Sequence, residues 1–305
     1  MCWKRVRRPR INNLISAGNA EAPISDQRQT RRAFNRAAAS YDQYAVLQGE
    51  VLQRTVQRLA PMVMQPRTIL DLGCGTGAAM RLLTERYPRA RILSADFAEE
   101  MVRRARRRAR WWQRRSFTVM DAHRLPLVDG SVDLLFSSLA FQWVVDLDQV
   151  LRECFRVLRP GGMLIFSSLG PDTLSELRQV SRQVDQTERV NLFLDMHDVG
   201  EGLVRAGFAA PVLDVDRIVT TYSEFSDLAR DLKGIGAQNI TTGRQRGITS
   251  RARWQKLVQG YEGFRQQGRL PATWEVVYAH GWKPEHSSGV ASTDPLEVPV
   301  QWHRK

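Results

Sequence analysis

The sequence predicts one α/β domain built on a mostly parallel sheet, and three observations support this fold class. An apolar run at residues 68–72 breaks into a turn with three alternating glycines. Two further apolar runs lead to the aspartates Asp96 and Asp121. Strand-like and helix-like spacings alternate through most of the 305 residues. Because the carboxyl ends of parallel strands meet at one sheet edge, we expect a ligand crevice where the glycines and aspartates converge.

The other elements follow in order from hydrophobic spacing and from turn residues. Helical spacing covers residues 30–59, with a break at Tyr41 and Asp42, and the strands at 68–72, 90–96 and 117–120 follow. The later elements are strands at 131–138, 163–168, 212–222 and 273–282 and helices at 147–158, 172–184 and 197–206. The segment between the last two strands, about 223–271, is too long for a hairpin and is predicted to be a helical lid.

The ordered domain is predicted to cover residues 26–282. Residues 1–25 carry a basic patch without the continuous apolar core of a secretory signal, and we expect a disordered extension. Residues 283–305 are polar and contain three prolines, which predicts a disordered tail.

The glycine turn suits a nucleotide-like ligand. Gly73, Gly75 and Gly77 allow positive φ angles and let a ligand approach the backbone closely. The helix that follows directs free N–H groups and its positive dipole end toward a carboxylate or phosphate. The spacing differs from the dinucleotide pattern G-x-G-x-x-G, and the turn alone therefore leaves the ligand open.

Composition narrows the class of protein. No run approaches the roughly 18 apolar residues of a membrane span. Three scattered cysteines without a C-x-x-C pair indicate neither a disulfide framework nor a thiolate zinc site, and they favour a reducing, cytoplasmic compartment. The five histidines show no metal-ligand spacing, so no metal is expected.

The chain is strongly basic, with a formal net charge of +13. The densest cluster spans residues 101–115. The spacing predicts an amphipathic helix there, with arginines opposite an apolar face of Met101, Val102, Ala105, Ala109 and Trp112. Two interpretations remain open for these arginines: a solvated charged face, or a surface that docks an acidic partner.

Four segments in order resemble the motifs of class I S-adenosylmethionine-dependent methyltransferases. They are residues 71–77, Asp96, residues 121–126 and residues 158–162. The resemblance implies a Rossmann-like fold with a seven-stranded, mostly parallel sheet containing an antiparallel strand. It also implies S-adenosyl-L-methionine as the cofactor.

The same resemblance implies which residues bind the cofactor. The glycine turn, with Cys74, would surround the methionine part, and Asp71 would help hold its amino group. Asp96 would bind the ribose hydroxyls, and Asp121 with the amide of Ala122 would read the adenine edge. The implied set is Asp71, Gly73, Cys74, Gly75, Gly77, Asp96, Phe97, Met101, Asp121, Ala122 and Ser138.

A narrower resemblance concerns the acceptor. Residues 34–42, 138–143, 166–174 and 231–237 are similar to the malonyl-acyl-carrier-protein O-methyltransferases of biotin synthesis. That family converts the free carboxylate of a malonyl thioester, on the carrier protein or on coenzyme A, into its methyl ester on the way to pimelate. A malonyl carboxylate is ionised at neutral pH and can attack the methyl group directly, so no catalytic base is expected.

Residues outside the cofactor motifs would then position the acceptor. Tyr41, Gln142 and Lys233 are the candidates for orienting the carboxylate, although each also suits a purely structural role. An acidic carrier protein would explain the arginine face, and Arg103, Arg107 and Arg110 are its candidate docking residues.

Two alternatives stay open at this point. One is a methyltransferase-like assembly factor for a respiratory complex, and the other is an RNA methyltransferase. Against the second, residues 137–140 read Ser-Ser-Leu-Ala instead of an N-P-P-Y-type motif, and no RNA-binding module is evident, so no nucleic acid partner is expected. The sequence leaves the oligomeric state open.

Overall fold

The molecule is organised around a single mixed sheet. The computed structural model describes residues 27–109, 115–185, 190–237 and 250–285. The strands in chain order are β1 (Thr68–Leu72), β2 (Arg91–Asp96), β3 (Arg115–Val119), β4 (Val132–Ser138), β5 (Leu158–Leu169), β6 (Ala209–Tyr222) and β7 (Leu270–Trp282). They form a seven-stranded sheet in the order β3-β2-β1-β4-β5-β7-β6. β7 runs antiparallel to the other six strands, which confirms the predicted fold class.

Helices connect the strands and precede the first of them. In the described part of the chain they are α1 (Gln27–Ala37), α2 (Tyr41–Tyr44), α3 (Val46–Gln57), α4 (Ala79–Arg86), α5 (Glu99–Arg108), α6 (Leu147–Val157), α7 (Ser175–Asp185), α8 (Met196–Arg205), α9 (Phe225–Gly234) and α10 (Arg251–Glu262). The one-turn helix α2 stands where the sequence predicts a break. Among the described residues, no helix is both long and apolar enough to cross a membrane.

Helices pack on both faces of the sheet, as the side-chain contacts of β4 show. On one face, Leu134 and Phe136 pack with apolar side chains of α3 and α4. On the other face, Leu135 packs with apolar side chains of α6 and α8. All three side chains are fully buried. A strand buried on both faces has no solvent-facing side, which explains why the centre of β4, residues 134–136, is apolar without alternation.

The predicted lid lies between β6 and β7. Its described parts are α9 and α10, which pack with α7 and β7 around Phe225 and Tyr261. The Tyr261 hydroxyl donates a hydrogen bond to the carbonyl of Pro271 at 2.9 Å. The segment is helical as predicted, residues 238–249 lie outside the described residues, and its role as a lid stays a prediction.

The predicted helix over residues 101–115 is too long. The helix α5 ends at Arg108, Ala109 is extended, and Arg115 already begins β3. Arg115 pairs with Ile92 in β2, and its guanidinium donates to the hydroxyl of Thr84 at 2.6 Å. Strand pairing therefore overrides the helical spacing at this end.

The strand predicted at 163–168 is longer in the structure, and the first residue of the predicted tail pairs with it. β5 begins at Leu158, and it bends at Gly161, which has a φ of +73°. The Gly161 amide donates to the carbonyl of Lys283, and the Lys283 amide donates to that of Gly162, both at 2.8 Å. These two bonds hold the first residue of the predicted tail in place. Residues 286–305 and the predicted basic extension at 1–25 lie outside the described residues.

Candidate cofactor cleft

The glycine turn links β1 to α4 and forms the floor of a cleft. Gly73, Gly75 and Gly77 have φ angles of +78°, +53° and +84°. The amide of Gly73 donates to the carbonyl of Ala95 at 2.7 Å, which ties the turn to the end of β2. A methyl group added at Gly75 would meet no atom within 4 Å, because that position opens into the cleft. The turn therefore presents bare backbone to whatever fills this space.

The carboxylate of Asp96 stands at the end of β2, directly beside the turn. Its two oxygens accept hydrogen bonds from the amides of Gly75 at 2.9 Å and Ala98 at 2.8 Å. The side chain is only 6% exposed, and this burial raises its pKa to about 6 even though the amides favour the ionised form. The amide of Phe97 also favours the ionised form. A carboxylate has about four acceptor positions, so Asp96 keeps room for a further donor.

Asp71 lies deeper, within β1. It is 2% exposed, and the hydroxyl of Ser94 lies 3.5 Å from its carboxylate. Burial, together with the neighbouring charge of Asp96, raises the pKa of Asp71 to about 7. A cation near this carboxylate would offset both effects.

Eight of the predicted cofactor residues line one cleft that encloses about 740 Å³, including open solvent. They are Gly73, Gly75, Asp96, Phe97, Met101, Asp121, Ala122 and Ser138. The other three predicted residues do not line the cleft. Asp71 is buried in β1, Cys74 is a buried free thiol, and Gly77 packs against α5, where an added methyl group would come within 3.0 Å of the Ala105 side chain.

Asp121 is already engaged by neighbouring side chains. One oxygen lies 2.8 Å from Nδ1 of His123, and the other accepts from the Gln27 amide at 3.1 Å. Burial opposes ionisation of Asp121, but the hydrogen bonds from His123 and Gln27 outweigh it, so its pKa is lowered. Gln27 and His123 thus close the end of the cleft where the adenine is expected.

The N-terminal helices α1 and α2 cover one side of the cleft with the side chains of Phe34 and Tyr41, and we call these two helices the cover. The ring of Phe34 lies edge-on to Trp143 with centroids 5.3 Å apart, and it lies 6.0 Å from Phe97. Tyr41 lines the same cleft. Burial first, and then the charges of Asp96 and Asp42, raise the pKa of Tyr41 above its ordinary value. Its hydroxyl therefore stays protonated at neutral pH and remains a donor.

Comparison with known proteins identifies the family. A family model described as a methyltransferase domain matches residues 70–166. The malonyl-[acyl-carrier protein] O-methyltransferase of Laribacter hongkongensis is 49% identical over 272 residues, which cover 87% of this chain and 92% of that protein. The protein of the same name from Methylovorus is 46% identical, with 93% and 97% covered. The chain belongs to the malonyl-[acyl-carrier protein] O-methyltransferase family.

Solved structures agree on the fold of this family member. The YcgJ protein of Bacillus subtilis matches with a TM-score of 0.54 and 15% identity, covering 77% of this chain and 100% of that one. The phosphoethanolamine N-methyltransferase 2 of Haemonchus contortus, solved in complex with S-adenosyl-L-methionine, matches with a TM-score of 0.50 and 17% identity, covering 82% and 57%. At these identities the likeness concerns the Rossmann-like class I methyltransferase fold alone.

As a member of this family the chain is a methyltransferase whose cofactor is S-adenosyl-L-methionine. Three features of the site fit that molecule. The open position at Gly75 leaves backbone accessible to a ligand, and the buried Asp96 has acceptor capacity left for a ribose hydroxyl. Asp71 suits the ammonium group, because a nearby cation would stabilise its ionised form.

The three predicted acceptor residues are not brought together. Tyr41 lines the cleft, but Gln142 does not: its Nε2 donates to the carbonyl of Leu139 at 2.8 Å, and its buried Oε1 has no partner among the described residues. Lys233 lies in a second pocket with Arg36 and Arg230. The roles of Gln142 and Lys233 in acceptor binding remain predictions.

The predicted docking residues also differ from one another. Arg103 pairs with Glu99 and Glu100 on its own helix, at 2.9 and 2.6 Å. Arg107 is exposed and has no hydrogen-bond or ion-pair partner in the described part of the chain. Arg110 lies outside the described residues.

Sequence reasoning missed several residues of the cleft. Gln27 and His123 close one end, and the rings of Phe34 and Trp143 pack together at the cleft, yet none of them was assigned a site role. Phe34 and Trp143 do lie in the segments that resemble the acceptor family, and that signal could have located them. Gln27 lies 94 residues from Asp121, and nothing in its local sequence indicates the contact.

Proposed function

We propose that the chain transfers a methyl group to the free carboxylate of a malonyl thioester, carried by acyl carrier protein or coenzyme A, as an early step of pimelate and biotin synthesis. The observation that carries the proposal is the extent of the match to relatives of that name. It covers 93% of this chain in the Methylovorus relative. The match therefore includes most of the N-terminal cover and the α9–α10 segment, not only the cofactor motifs.

The methyl transfer requires little acid or base catalysis from the protein. S-adenosyl-L-methionine supplies, when bound, a methyl group activated by a sulfonium. The malonyl carboxylate is ionised at neutral pH, so no proton has to be removed before it attacks. The residues of the chain therefore serve to align the carboxylate and to exclude water from the cleft.

Tyr41 is the best placed of the acceptor candidates. Its phenol lines the cleft beside Asp96, and its raised pKa keeps it a hydrogen-bond donor. A neutral donor can fix one carboxylate oxygen and leave the other free to react. Gln142, beside the cover, and Lys233, in the second pocket, are secondary candidates for the same task.

The outer face of α5 is proposed to dock the acidic carrier protein. Arg107 is exposed there without an acidic neighbour, whereas the charge of Arg103 is already offset by Glu99 and Glu100. Unpaired surface charge speeds the encounter with an oppositely charged partner.

A reducing, cytoplasmic location is also proposed. Both cysteines of the described residues, Cys74 and Cys154, are free and buried. Burial raises the pKa of each thiol, which keeps it protonated and unreactive.

The test uses the purified full-length chain with methyl-labelled cofactor and four acceptors: malonyl carrier protein, malonyl-coenzyme A, acetyl-coenzyme A and RNA. We expect base-labile label on the two malonyl thioesters. Acetyl-coenzyme A, which lacks the free carboxylate, should remain unlabelled. Label on RNA alone, or equal label on the acetyl thioester, would contradict the proposal.

A further inference from the structure

Three side chains form a closed hydrogen-bonded cluster beside the cofactor cleft. The hydroxyl of Thr76 donates to Oδ1 of Asp42 at 2.6 Å, and the guanidinium of Arg108 donates to Oδ2 of Asp42. Arg108 also donates to the hydroxyl and the carbonyl of Thr76, at 3.1 and 3.2 Å. Each of the three residues thus contacts both of the others, and we name this cluster the clasp.

The clasp joins three walls of the cleft that are distant in sequence. Asp42 directly follows the cleft-lining Tyr41 in α2. Thr76 lies in the glycine turn, between Gly75 and Gly77. Arg108 is the last residue of α5, the helix that contributes Met101 to the cleft.

We propose that Asp42 and Arg108 are positioning residues, which hold Tyr41 and the N-terminal cover against the glycine turn so that cofactor and acceptor meet in an aligned, closed cleft. The part concerning the acceptor rests on the proposed function. The part concerning cofactor retention does not. Neither residue lines the cleft itself, so both act through Tyr41 and the turn.

The clasp is more than an exposed ion pair. Isolated surface pairs contribute little to stability, but here the shared partner Thr76 is 2% exposed and its hydroxyl would lose its acceptor without Asp42. The close packing of α5 on the turn, seen at Gly77 and Ala105, brings Arg108 within reach. Because α5 and the glycine turn pack closely together, the hydrogen bonds of the clasp restrict the movement of the short helix α2 relative to both.

The other end of the cover is fastened separately. Gln27, the first residue of α1, donates to Asp121 at the opposite end of the cleft. Asn35 of α1 also accepts a hydrogen bond from the Glu100 amide at 3.0 Å, and Tyr41 packs against Met101. Breaking the clasp should therefore loosen the Tyr41 end of the cover without detaching α1. A displacement of the order of 1 Å in a positioning group is enough to lower a rate about 100-fold.

The experiment compares Asp42→Asn, Arg108→Met, Arg108→Lys and the double variant Asp42→Asn/Arg108→Met. Affinity and dissociation rate are measured for S-adenosylhomocysteine, which needs no acceptor, and kcat and KM are measured with malonyl-coenzyme A. Each single removal should weaken S-adenosylhomocysteine binding about tenfold, and the double variant should be no weaker than the singles, because the two residues share one interaction. Arg108→Lys should recover part of the affinity.

The control is a second ion pair that joins two elements. Arg205 of α8 contacts Asp148 of α6 at 2.9 Å, with similar exposure and away from the cleft. Arg205→Met should leave ligand affinity and kcat unchanged, whereas a clasp variant should lower kcat by more than it changes KM. Comparing thermal unfolding of the ligand-free variants separates this effect from a general loss of stability.

The outcomes separate the clasp from the proposed function. Unchanged ligand dissociation and kcat in both Asp42→Asn and Arg108→Met would overturn the clasp, whatever the wild-type acceptor is. Additive losses in the double variant would overturn it as well. Faster dissociation in the clasp variants, in a chain that methylates neither malonyl-coenzyme A nor malonyl carrier protein, would support the clasp and contradict the proposed function.

Discussion

Two glycines of the cofactor turn differ in what a side chain would meet. Gly73→Ala would place a methyl group 2.2 Å from the side chain of Ala140 at a φ of +78°, whereas Gly75→Ala would place one in the open cleft at +53°. The left-handed conformation alone costs about 1–2 kcal/mol for alanine, and overpacking adds about 1–3 kcal/mol at Gly73 only. We expect Gly75→Ala to fold with a small loss of stability and to bind S-adenosylhomocysteine at least about tenfold more weakly.

The matched control for this prediction is Gly268→Ala. Gly268 has a φ of +76°, and an added methyl group would also meet no atom within 4 Å, but the residue does not line the cleft. Denaturant unfolding should show a similar loss in the free energy of unfolding for both variants. Calorimetric titration should show weaker binding of S-adenosylhomocysteine only for Gly75→Ala. Equal binding in the two variants would show that the space above Gly75 is not cofactor space.

At the scale of single residues, the sequence predicts the contacts between residues at the ends of parallel strands. It does not predict side-chain contacts between other residues that are far apart in the chain. Asp96 and Gly75 were predictable because parallel strands bring their carboxyl ends to one edge. The contact of Arg108 with Asp42 spans 66 residues, and it depends on where α5 ends, which hydrophobic spacing did not fix. A run of arginines gives no local signal that one of them, Arg108, pairs with a specific carboxylate.

At the scale of elements, the junction of α6, β5 and the end of β7 depends on Lys283. The Lys283 ammonium donates to the carbonyls of Phe155 and Leu158 at 2.8 and 2.7 Å, and it lies 4.7 Å from the centre of the Phe155 ring. These are the carbonyls that the end of a helix leaves without intrahelical partners. The lysine thus serves as a C-terminal cap supplied from a distant strand.

We expect Lys283→Met to lower the free energy of unfolding by about 2 kcal/mol, the usual contribution of hydrogen bonds to a charged group. In a protein of 305 residues that corresponds to a fall in Tm of about 3 °C. Lys256→Met on the exposed face of α10 is the control and should unfold like the wild type. A Tm for Lys283→Met within about 1 °C of the control would mean that water caps these carbonyls equally well.

At the scale of the whole molecule, the net charge of +13 is distributed over arginines with different surroundings. Because the charge of Arg103 is offset by two glutamates and that of Arg107 is not, reversing Arg107 should matter more to an acidic partner. We expect Arg107→Glu to raise KM for the malonyl carrier protein roughly 3–10-fold and Arg103→Glu to raise it less, with the difference shrinking at high salt.

Malonyl-coenzyme A serves as the internal control for this prediction. It presents the same malonyl group without the acidic protein, so its KM should be nearly unaffected by Arg107→Glu. Equal effects on both acceptors would place Arg107 in acceptor binding in general. No effect on either would leave the arginine face of α5 as a solvated surface.

The position of β7 has a consequence for how the molecule is made. Although β7 is the last strand along the chain, it lies inside the sheet, between β5 and β6. While the chain leaves the ribosome, the edge of β5 therefore stays unpaired, and β6 has no neighbour in the sheet until residues 270–282 have emerged. Unpaired edges invite association with other chains, so the interval before β7 appears is when nascent molecules are most exposed to aggregation and most in need of chaperones.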